Sequence, residues 1–263
     1  MNKELELAII ASLEGGEAIM DIYKNDFNIE YKEDNSPLTL ADQNCNDVIN
    51  SYLIKTPIPI ISEENKQLSY ADRKDWETCW IVDPLDGTKE FVKRNGEFTV
   101  NIALVKKGKP VLGVIYVPDQ KILYYADVDL KKAYKVQLDS HKEDLNQIKN
   151  KAIEIKPSPV NRNRIRLVGS RSHMNKETTD FIESLRKDYK EVEIVSKGSS
   201  LKFCMIAEGD ADIYPRFAPT MEWDTAAGQA ICEAVGLKVI SQETNEPLLY
   251  NKENLLNPWF LVS

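Results

Sequence analysis

Histidine is almost missing from this chain, with only His141 and His173 among 263 residues. Cysteine is scarce as well: Cys45, Cys79, Cys204 and Cys232 stand singly, with no CxxC spacing. These shortages argue against a structural zinc site and against a disulfide framework. With apolar neighbours such as Trp80 and Phe203, the cysteines are expected to be buried, reduced thiols. No GxSxG elbow is present and neither histidine has a triad context, so nucleophilic serine chemistry is poorly supported. The absence of GxxxxGK[ST] and GxGxxG argues against nucleoside-triphosphate hydrolysis and dinucleotide redox chemistry. No apolar run approaches the roughly 20 residues that span a bilayer. The amino terminus opens directly into an amphipathic pattern without a signal-peptide core. A cytoplasmic location is expected, and peripheral attachment at the cytoplasmic face of the inner membrane stays open. An excess of positive charge is missing too. The 34 Lys and Arg against 42 Asp and Glu leave a net charge of −8, which argues against a nucleic-acid polymer as partner. A small anionic substrate is not excluded, because a metal ion and a few lysines reverse the sign locally.

What is present is enough apolar residue, 42%, for a sizeable core, in one large domain or two intimately packed lobes. Leu5, Ile9, Leu13, Met20 and Tyr23 predict an opening helix, weakened in its middle by Gly15-Gly16. Thr39 and Asp42 have the spacing of a capping box at the start of a second helix. Short strands are expected at 58–61, 80–82, 99–105, 111–117, 122–125 and near 133–136, with a hairpin turn at Lys107-Gly108-Lys109. An exposed, lysine-rich connection follows, to about residue 159. Beyond it, strands are expected at 166–169, 192–195, 211–214, 238–240 and 260–262. Helices are expected at 176–187, at 200–208 and from Asp224 to Ala234, the last closed by Gly236. The mixture lacks a regular βαβ rhythm and predicts layered sheets and helices of the α+β or layered α/β kind.

The richest stretch is Trp80-Ile81-Val82-Asp83-Pro84-Leu85-Asp86-Gly87-Thr88. A short buried strand runs into a tight turn that carries two carboxylates, with one backbone angle set by proline and glycine free to take unusual ones. Carboxylates held so close repel each other and invite a cation. Hard oxygen ligands suit Mg²⁺ or Mn²⁺ better than zinc. Two further acidic clusters fall at element boundaries, Glu63-Glu64 after a strand and Asp224 at a helix start. Taken singly, Glu63-Glu64 reads as a solvated loop, Asp224 as a helix cap and Asp83 as a turn initiator. Taken together, they read as carboxylates gathered from separate elements, with Asp42 a fourth contributor or simply a cap.

Asp83-Pro84-Leu85-Asp86-Gly87-Thr88 resembles the DP[IL]DGT signature of the inositol monophosphatase superfamily. Trp223-Asp224-Thr225-Ala226-Ala227-Gly228 resembles its second signature, in the matching order and separation. The continuation Lys89-Glu90-Phe91, the run Arg94 to Leu104, Ser170 to His173, Gly198 to Cys204 and Tyr214 to Phe217 are similar to the CysQ-type 3′(2′),5′-bisphosphate nucleotidases. Asp129 to Tyr134 departs from that pattern, away from the signatures. The resemblance implies a five-layer αβαβα sandwich of the sugar-phosphatase kind. It also implies a single catalytic domain with two lobes, about 1–155 for the metal site and 156–263 for the nucleotide. The implied activity is removal of the 3′-phosphate of adenosine 3′,5′-bisphosphate, giving AMP and phosphate, with the sulfated nucleotide as a second substrate. Mg²⁺ is the implied cofactor, with inhibition by Li⁺. The alternative is an inositol or sugar phosphatase with the same metal machinery.

By matching position, Glu63, Asp83, Asp86 and Asp224 are implied metal ligands, together with the backbone carbonyl of Leu85, and Glu64 is set behind them. Thr88 and Glu63 are implied to orient the attacking water, supported by Asp42. The amides of Gly87 and Thr88 are expected on phosphate oxygens. Ser170, His173, Gly198, Lys202 and Asp224 are implied to hold the substrate. Lys202 would supply a point charge for the phosphate that is not cleaved.

Overall fold

Strands that are apolar at both parities have to be covered on both faces, and that requirement organises the molecule. The structure is a computed structural model describing residues 1–24, 29–31, 37–169 and 175–263, with only the backbone described at 29–31 and 37–39. Helix α1 (Lys3–Tyr23) precedes an antiparallel pair, β1 (Ile29–Tyr31) and β2 (Pro37–Thr39), and then α2 (Leu40–Leu53). Next come β3 (Ile60–Ser62), α3 (Tyr70–Arg73), β4 (Thr78–Asp86) and α4 (Thr88–Val92). A meander follows: β5 (Thr99–Lys106), β6 (Lys109–Val117), β7 (Ile122–Asp127) and β8 (Lys132–Gln137), then α5 (Leu145–Lys151) and β9 (Ile153–Glu154). The rest comprises β10 (Arg164–Gly169), α6 (Lys176–Asp188), β11 (Glu191–Ser196), α7 (Leu201–Ala207) and β12 (Tyr214–Arg216). It closes with α8 (Ala226–Ala234), β13 (Val239–Ser241) and β14 (Phe260–Val262).

Strands β3 to β9 form one seven-stranded sheet in sequence order, with β3 parallel to β4 and every other pair antiparallel. Its two-residue alternation sends Trp80, Val82, Val100, Ile102, Val114 and Tyr116 into a core with α1 and α2. Cys79, Ile81, Ala103, Val105, Ile115 and Val117 enter a second core with α7 and α8. On the far side of those helices lie β11, β10, β12, β14 and β13. Hydrogen-bonded pairing joins β10 to β11 and orders β12-β14-β13, and a Leu167–Ile213 bridge connects the two groups. Val168, Phe260 and Val262 face α7 and α8, whereas Leu167 and Leu261 face outward with Ile182 and Leu185 of α6. The layers are therefore α1/α2, large sheet, α7/α8, smaller sheet, α6: the five-layer αβαβα sandwich. Among the described residues, no helix is long and apolar enough to cross a membrane.

Helix α1 runs unbroken through Gly15-Gly16, which serve packing rather than a break. A Cβ on Gly16 would lie 2.4 Å from the Tyr116 ring, and one on Gly15 would lie 2.8 Å from Cys45 Sγ. Glycine lets α1 approach both the sheet and α2. A long-range clasp closes the molecule elsewhere. The buried Arg73 guanidinium donates to Asn251 Oδ1 at 2.8 Å, to the Lys252 carbonyl at 2.5 Å and to the Glu253 carbonyl at 2.9 Å.

Several elements depart from the sequence expectation. Helices α3, α4 and α5 were not expected. The first two are too short for periodicity to register, and α5 buries only Ile148, relying on an Asp144–Gln147 capping box. Helix α8 begins at Ala226 with Thr225 as its cap residue, so Asp224 lies in the preceding turn. The strand expected at 211–214 instead forms at Tyr214–Arg216, with Ile213 making only the isolated bridge. All four cysteines are free and buried. Replacing Gly16 by alanine should destabilise the protein by about 1–3 kcal/mol through overpacking, although alanine is the better helix former by about 1 kcal/mol. A denaturant midpoint that does not fall would mean that α1 stands clear of the sheet.

Candidate active site

Where the buried alternation of β4 reaches its end, the apolar pattern turns acidic. Cys79 and Ile81 point toward α7 and α8, so Asp83 projects to the same side. Asp83 pairs in register with Asn101 and Asp86 with Thr99, which leaves Pro84 and Leu85 opposite Val100 alone. This bulge re-aims the strand. It is held by the Leu85 amide donating to Asp83 Oδ1 at 3.1 Å and by the Cys45 thiol donating to the Pro84 carbonyl at 3.1 Å. Gly87 follows at φ 93°, a left-handed angle that favours glycine, and Thr88 opens α4.

The other acidic groups arrive from separate elements. Strand β3 lies parallel beside β4, and the Glu63 amide after it donates to the Val82 carbonyl at 3.2 Å. Asp224 stands in the turn before α8, its Oδ2 accepting from the Met221 amide at 2.7 Å. Asp42 is buried in the first turn of α2. Oxygens of Asp83, Asp86 and Asp224 all lie within 4.8 Å of one another. Burial pushes the Asp83 carboxyl well above the usual range, helped by the charges of Glu63, Asp86, Asp224 and Asp42. Burial also raises Asp224, reinforced by Asp86 and Glu63 and partly opposed by the Met221 amide. Asp83 Oδ2 is buried and has no hydrogen-bond partner among the described residues. An orphaned carboxylate oxygen among like charges, in a cluster whose convergent groups are carboxylates, fits a hard divalent cation.

A cavity of about 210 Å³ opens beside Asp86 and Asp224. Its cationic lining includes Lys197, Lys202 and Arg216. Lys202 is buried, donates to the Ser199 carbonyl at 2.5 Å, and is held down to about 8 by that burial. The loop before α7 crosses close to the start of β5. The Gly198 amide donates to Glu97 Oε2 at 2.9 Å, and Lys197 pairs with the same carboxylate at 3.6 Å. A Cβ on Gly198 would lie 2.7 Å from Glu90 Cγ and 3.1 Å from the Glu97 carbonyl. The room that this glycine leaves is thus taken up by the protein itself.

Of the residues singled out from sequence, Asp83, Asp86 and Asp224 converge as one cluster, and Glu63 and Asp42 act electrostatically on it. Gly87, Gly198, Lys202 and Asp224 line the cavity. Leu85 is buried in the bulge, and Thr88 is half-buried at the start of α4. Ser170 and His173 lie outside the described residues. Sequence reasoning missed Ser200, Asn101, Glu97 and Lys197, and assigned Arg216 no role. Asn101 had a readable signal: an amide interrupting the apolar run of a strand that is buried from Thr99 to Val105. Glu97 and Lys197 look like ordinary surface charges until the loop crossing is seen.

The sequence profile of the inositol monophosphatase family matches residues 1–259. The 3′(2′),5′-bisphosphate nucleotidase CysQ of Salmonella typhimurium is 44% identical over 252 residues, covering 94% of each chain. That of Escherichia coli K12 is 43% identical over 253 residues with the same coverage. The crystal structure of CysQ from Bacteroides thetaiotaomicron, a bacterial member of the inositol monophosphatase family, matches with a TM-score of 0.88 and 50% identity, covering 99% of this chain and 96% of that one. The Thermotoga maritima IMPase shares the fold at 21% identity and a TM-score of 0.75, covering 100% of this chain and 92% of that one.

Raised carboxylates make stability fall with rising pH. Below the unfolded-chain value of about 3.9 both states hold the proton; above it the unfolded chain ionises freely while folded Asp83 and Asp224 resist. Without divalent cation, the melting temperature should therefore fall between about pH 5 and about pH 8. Asp83→Asn should flatten that fall and raise the cation-free value near neutrality, by about 2–4 °C per kcal/mol relieved. Parallel curves for the two proteins in thermal melts would refute the assignment.

Proposed function

The chain belongs to the inositol monophosphatase family, and on that premise we propose that it is a Mg²⁺-dependent 3′(2′),5′-bisphosphate nucleotidase. It removes the 3′-phosphate of adenosine 3′,5′-bisphosphate, leaving AMP and phosphate, and accepts the sulfated nucleotide as well. The observation that carries this reading is the adjacency of the Asp83–Asp86–Asp224 cluster to a cavity with the buried cation Lys202. A metal centre that opens onto a second anion-binding position suits a substrate with two phosphates. The identity with the nucleotidases over nearly the whole chain supports the same substrate class.

In this reading Glu63, Asp83, Asp86, Asp224 and the Leu85 carbonyl would hold Mg²⁺. When bound, the cation lowers the pKa of the attacking water and offsets charge on the leaving oxygen. Thr88 and Glu63 would orient that water, and Asp42, whose charge acts on Asp83, would support the water or its metal. The amides of Gly87 and Thr88 meet phosphate oxygens. Lys202 and Arg216 counter the phosphate that remains on the nucleotide. Ser170 and His173 are assigned to the nucleotide by sequence match alone, and Gly198 shapes its site by letting the loop pass close to Glu90 and Glu97. Residues of about 1–155 form the lobe that carries most of the metal ligands, and about 156–263 form the nucleotide lobe, which also contributes Asp224. Four buried, reduced thiols suit a cytoplasmic enzyme.

Phosphate release from a panel of bisphosphate nucleotides, inositol phosphates and sugar phosphates tests the substrate class. Adenosine 3′,5′-bisphosphate should exceed inositol monophosphate at least about tenfold in kcat/KM, and the reverse preference would sink the reading. Asp83→Asn should lower kcat by more than about a hundredfold, beyond what loss of a group merely supporting a metal ligand costs. Lys202→Met should raise KM for the bisphosphate while leaving kcat largely in place.

A further inference from the structure

We propose that Ser200 is a positioning residue that couples the nucleotide pocket to the metal cluster, an inference that rests on the metal-dependent reading above. Ser200 is buried and stands at the residue before α7, its hydroxyl making no capping hydrogen bond to the helix. Its hydroxyl lies 2.7 Å from Asp86 Oδ2 and 3.0 Å from the Asp224 carbonyl, and it accepts from Asn101 Nδ2 at 2.9 Å. One oxygen thus touches a candidate metal ligand from β4, the backbone of a second candidate ligand before α8, and the strand β5 between them.

A hydroxyl has a single proton to donate. The shorter contact to a carboxylate oxygen is the stronger one, so the proton lies toward Asp86 and the Asp224 carbonyl is the alternative acceptor. Asn101 holds the hydroxyl from the other side and so prevents it from swinging away. Ser200 therefore orients the Asp86 carboxylate.

The same residue sits on the pocket loop. Two positions along is Lys202, on the first turn of α7, and just before it the loop is hung on Glu97 through Gly198, Lys197 and Ser199, whose hydroxyl donates to the Glu97 carbonyl at 2.8 Å. Of the hydrogen-bond partners that this loop finds in residues 1–155, Asp86 alone belongs to the metal cluster. A cation seated on Asp86 and an anion seated against Lys202 each favour the same placement of Ser200. By linkage each ligand then tightens the other.

Calorimetric titration of Mg²⁺, with and without AMP, tests this on the folded protein. Wild-type protein should bind Mg²⁺ at least about fivefold more tightly with AMP present. Ser200→Ala should weaken Mg²⁺ binding in the absence of nucleotide by about 10–100-fold and abolish the tightening by AMP. Ser200→Thr, which keeps the hydroxyl, should restore part of both. Glu97→Gln, which loosens the loop without touching Asp86, should weaken AMP and leave Mg²⁺ binding alone. Thermal melts of the cation-free variants establish that each is folded. A folded Ser200→Ala protein that binds Mg²⁺ as wild type does, or a Glu97→Gln protein that loses Mg²⁺ affinity equally, overturns the proposal. If wild type and Asp83→Asn bind Mg²⁺ alike, the metal assignment itself fails, and that result is separable from the role of Ser200.

Discussion

Carboxylates that repel each other in a dry site stay together only if the backbone beneath them is stiffer than their repulsion. Everything around Asp83, Asp86 and Asp224 serves that end. Strand β4 is central enough to be covered on both faces, and its ladder to β5 resumes on each side of the bulge. The bulge itself is pinned by its own amide to Asp83 and by a thiol from α2. The tight approach of α1 to Cys45, which Gly15 permits, keeps that thiol in place. A substitution far from the cluster can therefore loosen it without touching any carboxylate.

The cost of gathering the charges is also what makes the site selective. A cluster in which burial and neighbouring charge drive the Asp83 and Asp224 carboxyls upward is relieved by a small ion of double charge more than by a monovalent one. Next to it, a lysine pushed down to about 8 by burial is correspondingly relieved by an anion. Opposite strains side by side complement a ligand that brings metal and phosphate together.

How much of this was legible depended on whether a residue's role was local. The β4 pattern, the acidic turn and the segment around Asp224 are short-range features, and sequence reading found them. Gly15-Gly16 was legible as an anomaly, but its meaning was inverted: the pair is a packing device, visible only once Tyr116 and Cys45 are opposite it. Ser200, Glu97 and Lys197 acquire their roles from partners about 100 residues away along the chain, as with Ser200 and Asn101, 99 positions apart. Helix α5 escaped because it buries a single residue and so leaves no periodic stripe. Asp224 belongs to a turn rather than a cap, because the Met221 amide claims its carboxylate first.

The clasp of Arg73 on residues 251–253 bears on the order in which the chain is made. A polypeptide leaves the ribosome from its amino end, so the seven strands of the large sheet emerge well before α8, which covers one of their faces. Until residue 234 has been synthesised, Ile81, Ala103, Val105, Ile115 and Val117 lack that cover. The guanidinium of Arg73 waits longer still for its carbonyls. A nascent chain of this kind exposes an apolar sheet face from the completion of β9 until α7 and α8 are made, the condition under which aggregation competes with folding and holding chaperones are engaged.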